Sequence, residues 1–192
     1  MKSRPILFST EMVQAILDGL KTMTRRIVQT EKFGWNCHEM KFERICTYDN
    51  PKPNLQAFFT DNSEFPLLGV KCPYGEPGDQ LWVRETFTTD LFSRTVYRAT
   101  DGEVDGVGRK FTWTSSRFMP RAASRITLKI TNIKVERLQD ITEDDAEKEG
   151  SNLDLATGTF RYGFASLWES INGKKSWDKN PWVWVIEFEP IK

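Results

Sequence analysis

Apolar and polar positions change period several times along the chain, and each change marks an element. Met12, Ile16, Leu17 and Leu20 recur at helical spacing. Ser9 and Thr10 precede them as capping hydroxyls, and Glu11 places a negative charge in the first turn, where the helix dipole favours it. Gly19 predicts the stop, because glycine accepts the left-handed backbone that closes a helix. Lys21 to Arg26 should therefore leave as a turn or the start of a strand. Pro73, Gly75, Pro77 and Gly78 form a dense turn signal, after which Leu81, Val83 and Glu85 alternate with Trp82, Arg84 and Thr86. That alternation predicts a strand over 80–87, and residues 95–99 can return antiparallel.

Ile126, Leu128 and Ile130 hold period two, and Ile133 and Val135 follow a break near Asn132, a bulge or a corner. The pattern predicts one long bent strand over 124–138. Thr142 opens TEDDAEKEG, a short helix with an acidic first turn, a Thr142 to Asp145 cap and a closing Gly150. Glu149 stands at its end. Phe160, Phe164, Leu167, Trp168 and Ile171 mark a second amphipathic helix stopped by Gly173, and 182–188 reads as a buried closing strand.

Between Gln29 and Val70 no period is sustained, and Pro51, Pro53 and Pro66 stand among Asn, Asp and aromatic residues. This stretch is expected to be an irregular insertion, at about 30–70, on a single domain spanning 1–192. The order helix, strands, helix, helix, strand supplies too few crossover helices for a doubly wound parallel sheet. The expected fold class is α+β, a small β-barrel with peripheral helices.

Composition then narrows the function. Twenty-seven basic residues balance twenty-seven acidic ones, so no global field draws in a polyanion and any nucleic-acid site must be a local patch. There is no run of eighteen apolar residues and no secretion signal, which predicts no membrane association. Cys37, Cys46 and Cys72 form no CxxC pair, and a reducing, cytoplasmic setting fits them. With His38 they supply four potential zinc ligands, but the adjacent Cys37 and His38 match no standard zinc spacing, so neither metal nor other cofactor is expected.

The segment Gly19-Leu20-Lys21-Thr22-Met23-Thr24-Arg25-Arg26 puts a lysine, two hydroxyls and two arginines just past a helix end, a candidate anion or nucleotide site. In extended backbone Thr22, Thr24 and Arg26 share one face and Lys21, Met23 and Arg25 the other. A local turn that brings Lys21 beside Thr24 is what catalysis would require.

G-x-K-x-x-T-x-R is also the signature of ASCH domains, and the chain resembles that family at Gly19, Lys21, Thr24 and Arg26. The likeness extends to the preceding helix, the Gly78-Asp79 turn before LWVRE, the strand SRITLKIT, the helix ITEDDAEKEG and the closing WVWVIEF, and leaves out roughly 30–70 and 100–120. With PYGEPGDQLWVRE and NPWVWVIEF the chain looks like the larger ASCH proteins of phages and prophages. The resemblance implies a PUA-like fold and a cleft for RNA or a modified nucleoside.

Some small ASCH members are amidohydrolases that deacetylate acetylcytidine. Carried over, the resemblance makes Thr24 the nucleophile, Lys21 the base and Glu149 the proton donor. Such a lysine needs a lowered pKa, and such a glutamate a raised one. Other members look like ribonucleases, in which the same lysine and arginines would stabilise charge on a phosphate. A phage accessory protein that binds a host protein is the reading from another class.

Arg25, Arg26, Arg84, Arg121 and Arg125 are the expected nucleic-acid contacts. Arg117, Arg121 and Arg125 recur every four residues, although Pro120 forbids one helix through all three. Glu85, next to Arg84, is expected on the opposite face of their strand, with a structural ion pair as the alternative to ligand contact. Trp82, Trp113 and Trp177 are the tryptophans considered for stacking on a base.

Overall fold

A computed structural model describes residues 1–29, 40–48, 54–60 and 68–191. In chain order the elements are β1 (Ser3–Leu7), α1 (Thr10–Leu17), β2 (Met23–Ile27), β3 (Lys41–Tyr48), β4 (Asn54–Thr60), β5 (Leu68–Lys71), β6 (Gln80–Arg84), β7 (Phe87–Thr89), β8 (Thr95–Tyr97), the one-turn α2 (Arg98–Asp101), β9 (Thr127–Arg137), α3 (Glu143–Lys148), α4 (Phe160–Asn172) and β10 (Trp182–Pro190). The fold is α+β, with several sheets and few helices.

Five strands make the central sheet in the order β1-β6-β9-β10-β2. β1 runs parallel to β6, and the remaining neighbours are antiparallel. The expected closed barrel is not formed among the described residues, because β1 and β2 are left as edges. Their gap is crossed by a side chain instead: Arg26 Nη2 donates to the Leu7 carbonyl at 2.7 Å.

β10 explains its own sequence. Val183 and Val185 pack on one side, with Met23, Phe164 and Trp168, while Trp184 and Ile186 pack on the other, with Ile6 and Leu128. A strand covered on both faces reads as a continuous apolar run. The expected bulge in the long strand is there too, with the β9–β10 register shifting between Glu187 and Phe188, opposite Asn132 and Ile130.

The helices begin and end where local chemistry dictates. The Ser9 side chain accepts from Met12 N, and Thr142 from Asp145 N. Gly19, Gly150 and Gly173 follow their helices with φ of 74°, 72° and 95°.

The stretch expected to be irregular is corrected in its described part. β3, β4 and β5 form an antiparallel sheet whose Leu55, Ala57, Phe59 and Val70 share the core with Ile6, Leu81 and Leu128. A register shift between Phe42 and Arg44 breaks the alternation that would have announced β3. Cys37 and His38 lie outside the described residues, and no metal-holding group of ligands occurs among those described. No described helix is long and apolar enough to cross a membrane.

Candidate functional site

The turn after α1 is set by backbone bonds. Leu20 N and Lys21 N both donate to the Ala15 carbonyl, at 2.9 and 3.0 Å, and the positive φ of Gly19 lets the chain reverse there. Lys21 is thereby directed inward beneath the end of α3. Gly150 closes the same junction, since a Cβ on it would stand 3.0 Å from Ala15 Cβ and 3.1 Å from Lys21 Cβ.

Lys21 is buried completely, its side chain 0% exposed, so the base implied at this position has no direct contact with solvent. Its Nζ donates to the Met23 carbonyl at 2.8 Å, the Glu149 carbonyl at 2.6 Å and Glu149 Oε2 at 2.8 Å. Three acceptors occupy the three N–H bonds of an ammonium. Burial lowers the Lys21 pKa, and Glu149 offsets only part of that effect. The shift has the direction a base needs, but the bonds are those of a strut.

Arg25 is likewise 0% exposed at its side chain. It pairs with Glu136 at 2.5 Å, with Asp145 at 2.8 Å and with Glu149 Oε1 at 3.3 Å. Burial pulls its pKa down, and Glu149, Glu136 and Asp145 more than reverse this, leaving the guanidinium above its usual value. This geometry corrects the placing of Arg25 among nucleic-acid contacts, because its charge is consumed internally. Both Glu149 oxygens thus face cations, Oε2 towards Lys21 and Oε1 towards Arg25.

Thr24, Arg26 and Glu149 line a cavity of about 210 Å³ at the free edge of β2. Phe164 and Trp168 of α4 form one wall, and Tyr74 stands in the lining beside the turn that precedes β6. Burial raises the Tyr74 pKa, with partial relief from Arg26. Phe188 N donates to the Thr22 carbonyl and Val28 N to the Trp182 carbonyl, so the alternation turns the backbone groups of Met23, Arg25 and Ile27 away from β10, towards the open edge. Lys21 takes one of these, the Met23 carbonyl.

The other arginines divide by partner. Arg125 forms a two-bond pair with Glu85, at 2.9 and 3.0 Å, and lies 4.0 Å from the Tyr97 ring centroid. That buried carboxylate accounts for the expected ion pair and removes Arg125 from the free cations. Arg84 and Arg121 both stand over the Trp82 ring, at 5.6 and 5.7 Å. Trp113 packs on Phe111 and donates to Glu103, and Trp177 packs on Phe164.

Sequence reasoning missed Tyr74, Glu136, Asp145 and the cavity wall on α4. Phe164 and Trp168 were legible only as core positions, which they also are. An acidic Glu136 inside the β9 pattern was the available signal for the buried network.

No family model matches the chain, and no curated protein does. Among solved structures the chain is similar to EF3133 from Enterococcus faecalis, of the DUF984 family model, at 11% identity and a TM-score of 0.40, covering 100% of this chain and 80% of that one.

Proposed function

We propose that the chain is an ASCH protein of the PUA-like superfamily, folded as one unit, whose cavity at the edge of β2 receives a single nucleoside, free or turned out of an RNA strand. The observation that carries this reading is the meeting of Thr24, Arg26 and Glu149 in one lining with Phe164 and Trp168. Aromatic rings and a guanidinium in one lining suit a flat ring, and a hydroxyl with a carboxylate suits its polar edge. At about 210 Å³ the space fits one small ligand, below the usual range of ~300–1,000 Å³ for drug-sized ones.

A second reading, deacylation of an acylated cytidine, is favoured by Thr24 and Glu149 sharing this cavity. In that reading the Thr24 hydroxyl adds to the acyl carbonyl while Glu149 takes its proton and passes it to the departing cytidine amine, water then releases acetate from Thr24, and Lys21, committed to Glu149, acts through it. The test is calorimetry with cytidine, acetylcytidine and single-stranded RNA, alongside chromatography for released acetate. Binding of at least one of them, weakened by Thr24→Ala, is the expected result. A protein that binds none of the three is not a nucleoside-binding protein.

A further inference from the structure

A groove of about 950 Å³ opens between α1, α3 and the start of α4, and none of its lining residues lines the cavity at β2. Leu20, Leu153 and Phe160 give it apolar surface, together with Ala15 and Ala99. Leu20 is 65% exposed on the turn that two bonds hold to the Ala15 carbonyl, and Leu153 is 43% exposed. A leucine held out on pinned backbone can bury apolar area on a partner without first being ordered.

The charge in the same lining is of one sign. Glu11, Asp18, Asp144 and Glu147 contribute carboxylates, and the lone ammonium among the described lining residues, Lys148, is taken by Asp144 at 2.5 Å. Glu11, Asp18 and Glu147 stand outside the ion pairs of the described residues, and Asp18 accepts a neutral donor, Gln14 Nε2, at 2.9 Å. Glu11 suits the start of its helix. Asp18, however, caps the C-terminus of α1, whose last turn holds no basic residue, and Glu147 stands in the last turn of α3. A helix C-terminus carries partial negative charge, so both carboxylates sit where their own helices disfavour them. In a chain of zero formal charge this is a local concentration beside apolar surface. The carboxylates are spread over two helices, and no group of three metal ligands occurs among the described residues, which favours an extended cation over a metal ion.

We propose that this groove docks a basic amphipathic segment of a partner protein. Its aliphatic side chains pack on Leu20, Leu153 and Phe160, and its lysines or arginines meet Glu11, Asp18 and Glu147. Charge complementarity selects this occupant, because the same carboxylates repel a phosphate backbone or an acidic peptide. The groove is independent of the nucleoside reading.

The test is fluorescence anisotropy with a labelled peptide of about twelve residues carrying lysine on one helical face and leucine on the other. In one control peptide glutamate replaces every lysine, and in a second serine replaces every leucine. The parent protein should bind the first peptide at least about 10-fold more tightly than either control. Its affinity should fall between roughly 0.01 and 1 M salt, as the screening length shrinks from about 30 to about 3 Å. Glu11→Gln with Glu147→Gln should weaken binding about 5-fold or more at the low-salt end and much less at the high one. Leu20→Ser, at an exposed position, should weaken it roughly 5-fold at every salt concentration, with an unchanged urea unfolding curve. Asp140→Asn with Asp178→Asn, the same charge change at exposed positions outside the groove, should leave affinity within about 2-fold.

Equal binding of the glutamate peptide would mean contact without charge complementarity, and equal binding of the serine peptide would mean adherence to negative charge alone; either overturns the groove. Groove variants that match the parent overturn it too, as does an outside pair that weakens binding as much as the changes at Glu11 and Glu147. Displacement of the peptide by oligouridylate would assign the groove to nucleic acid and overturn the proposal as well. Peptide affinity unchanged in Thr24→Ala supports a site separate from the cavity at β2.

Discussion

Replacing Lys21 by Met keeps most of the aliphatic stem and deletes the ammonium, and the structure sets what is lost. Three bonds of 2.8, 2.6 and 2.8 Å disappear together, leaving two carbonyls and one carboxylate oxygen without that donor. Arg25 still faces the other oxygen, at 3.3 Å, so the charge of Glu149 is not abandoned entirely. Removing one partner of a buried pair costs about 3–5 kcal/mol, against about 0–1 kcal/mol for an exposed one. Lys21→Met should therefore lose about 3–5 kcal/mol in urea unfolding, and at ~2–4 °C per kcal/mol its melting point should fall by roughly 6–20 °C. Adding Glu149→Gln should cost less than the sum of the two single changes, with a coupling of about 0.5–3 kcal/mol, because one interaction cannot be lost twice. A loss under about 1 kcal/mol, or strict additivity, would refute the strut. The same numbers warn that lost turnover in a Lys21 variant must be read beside its melting curve.

Other outcomes follow from single contacts. Asp79 accepts from Lys2 N and Arg4 Nη1, at 2.6 and 2.7 Å; burial pushes its pKa up, but these donors outweigh burial and leave it lowered. The stability from a depressed carboxylate is present above the ordinary aspartate pKa and lost as pH falls through the folded value, so Asp79→Asn should be less stable at neutral pH and flatter in acid unfolding. Gly163→Ala, which in an open helix would gain up to about 1 kcal/mol, should instead destabilise, because the new Cβ would stand against the Asn152 carbonyl; a raised melting temperature would contradict this. Burial pushes the Cys72 thiol up to about 11, so peptide mapping after iodoacetamide at pH 8 should find Cys72 modified only once the chain is unfolded. Thr24→Ala should keep the parent stability within about 1 kcal/mol in urea unfolding while weakening, by calorimetry, binding of the proposed nucleoside.

The parts of the fold visible in the sequence are those that a few neighbouring residues decide. Ser9 and Thr142 cap their helices, Gly19 and Gly150 end them, and Leu81, Val83 and Glu85 alternate inward as their period requires. The gathering of Thr24, Arg26 and Glu149 was also legible, through a resemblance that tied the turn after α1 to the end of α3. What was hidden depends on distant partners. The strand at Ser3–Leu7 and its parallel pairing with β6 carry no turn signal, because the crossover is long. β3 is masked by its register shift. Arg25 and Arg26 are adjacent arginines of one strand, and the distant carboxylates of Glu136 on β9 and of Asp145 and Glu149 at α3 decide which of them is buried in ion pairs.

The division of labour within the Gly19 to Arg26 segment bears on how such a protein changes over generations. Lys21 and Arg25 hold the frame through buried ion pairs, whereas Thr24 and Arg26 line the cavity in which a nucleoside is proposed to bind. Selection for a folded chain alone would retain the lysine, so a descendant that had lost its ligand would still display it. If the proposed nucleoside site is real, drift after loss of its ligand should appear first at Thr24 and Arg26. The identity of those two positions, more than the presence of the whole motif, is therefore what separates a working copy from a relic.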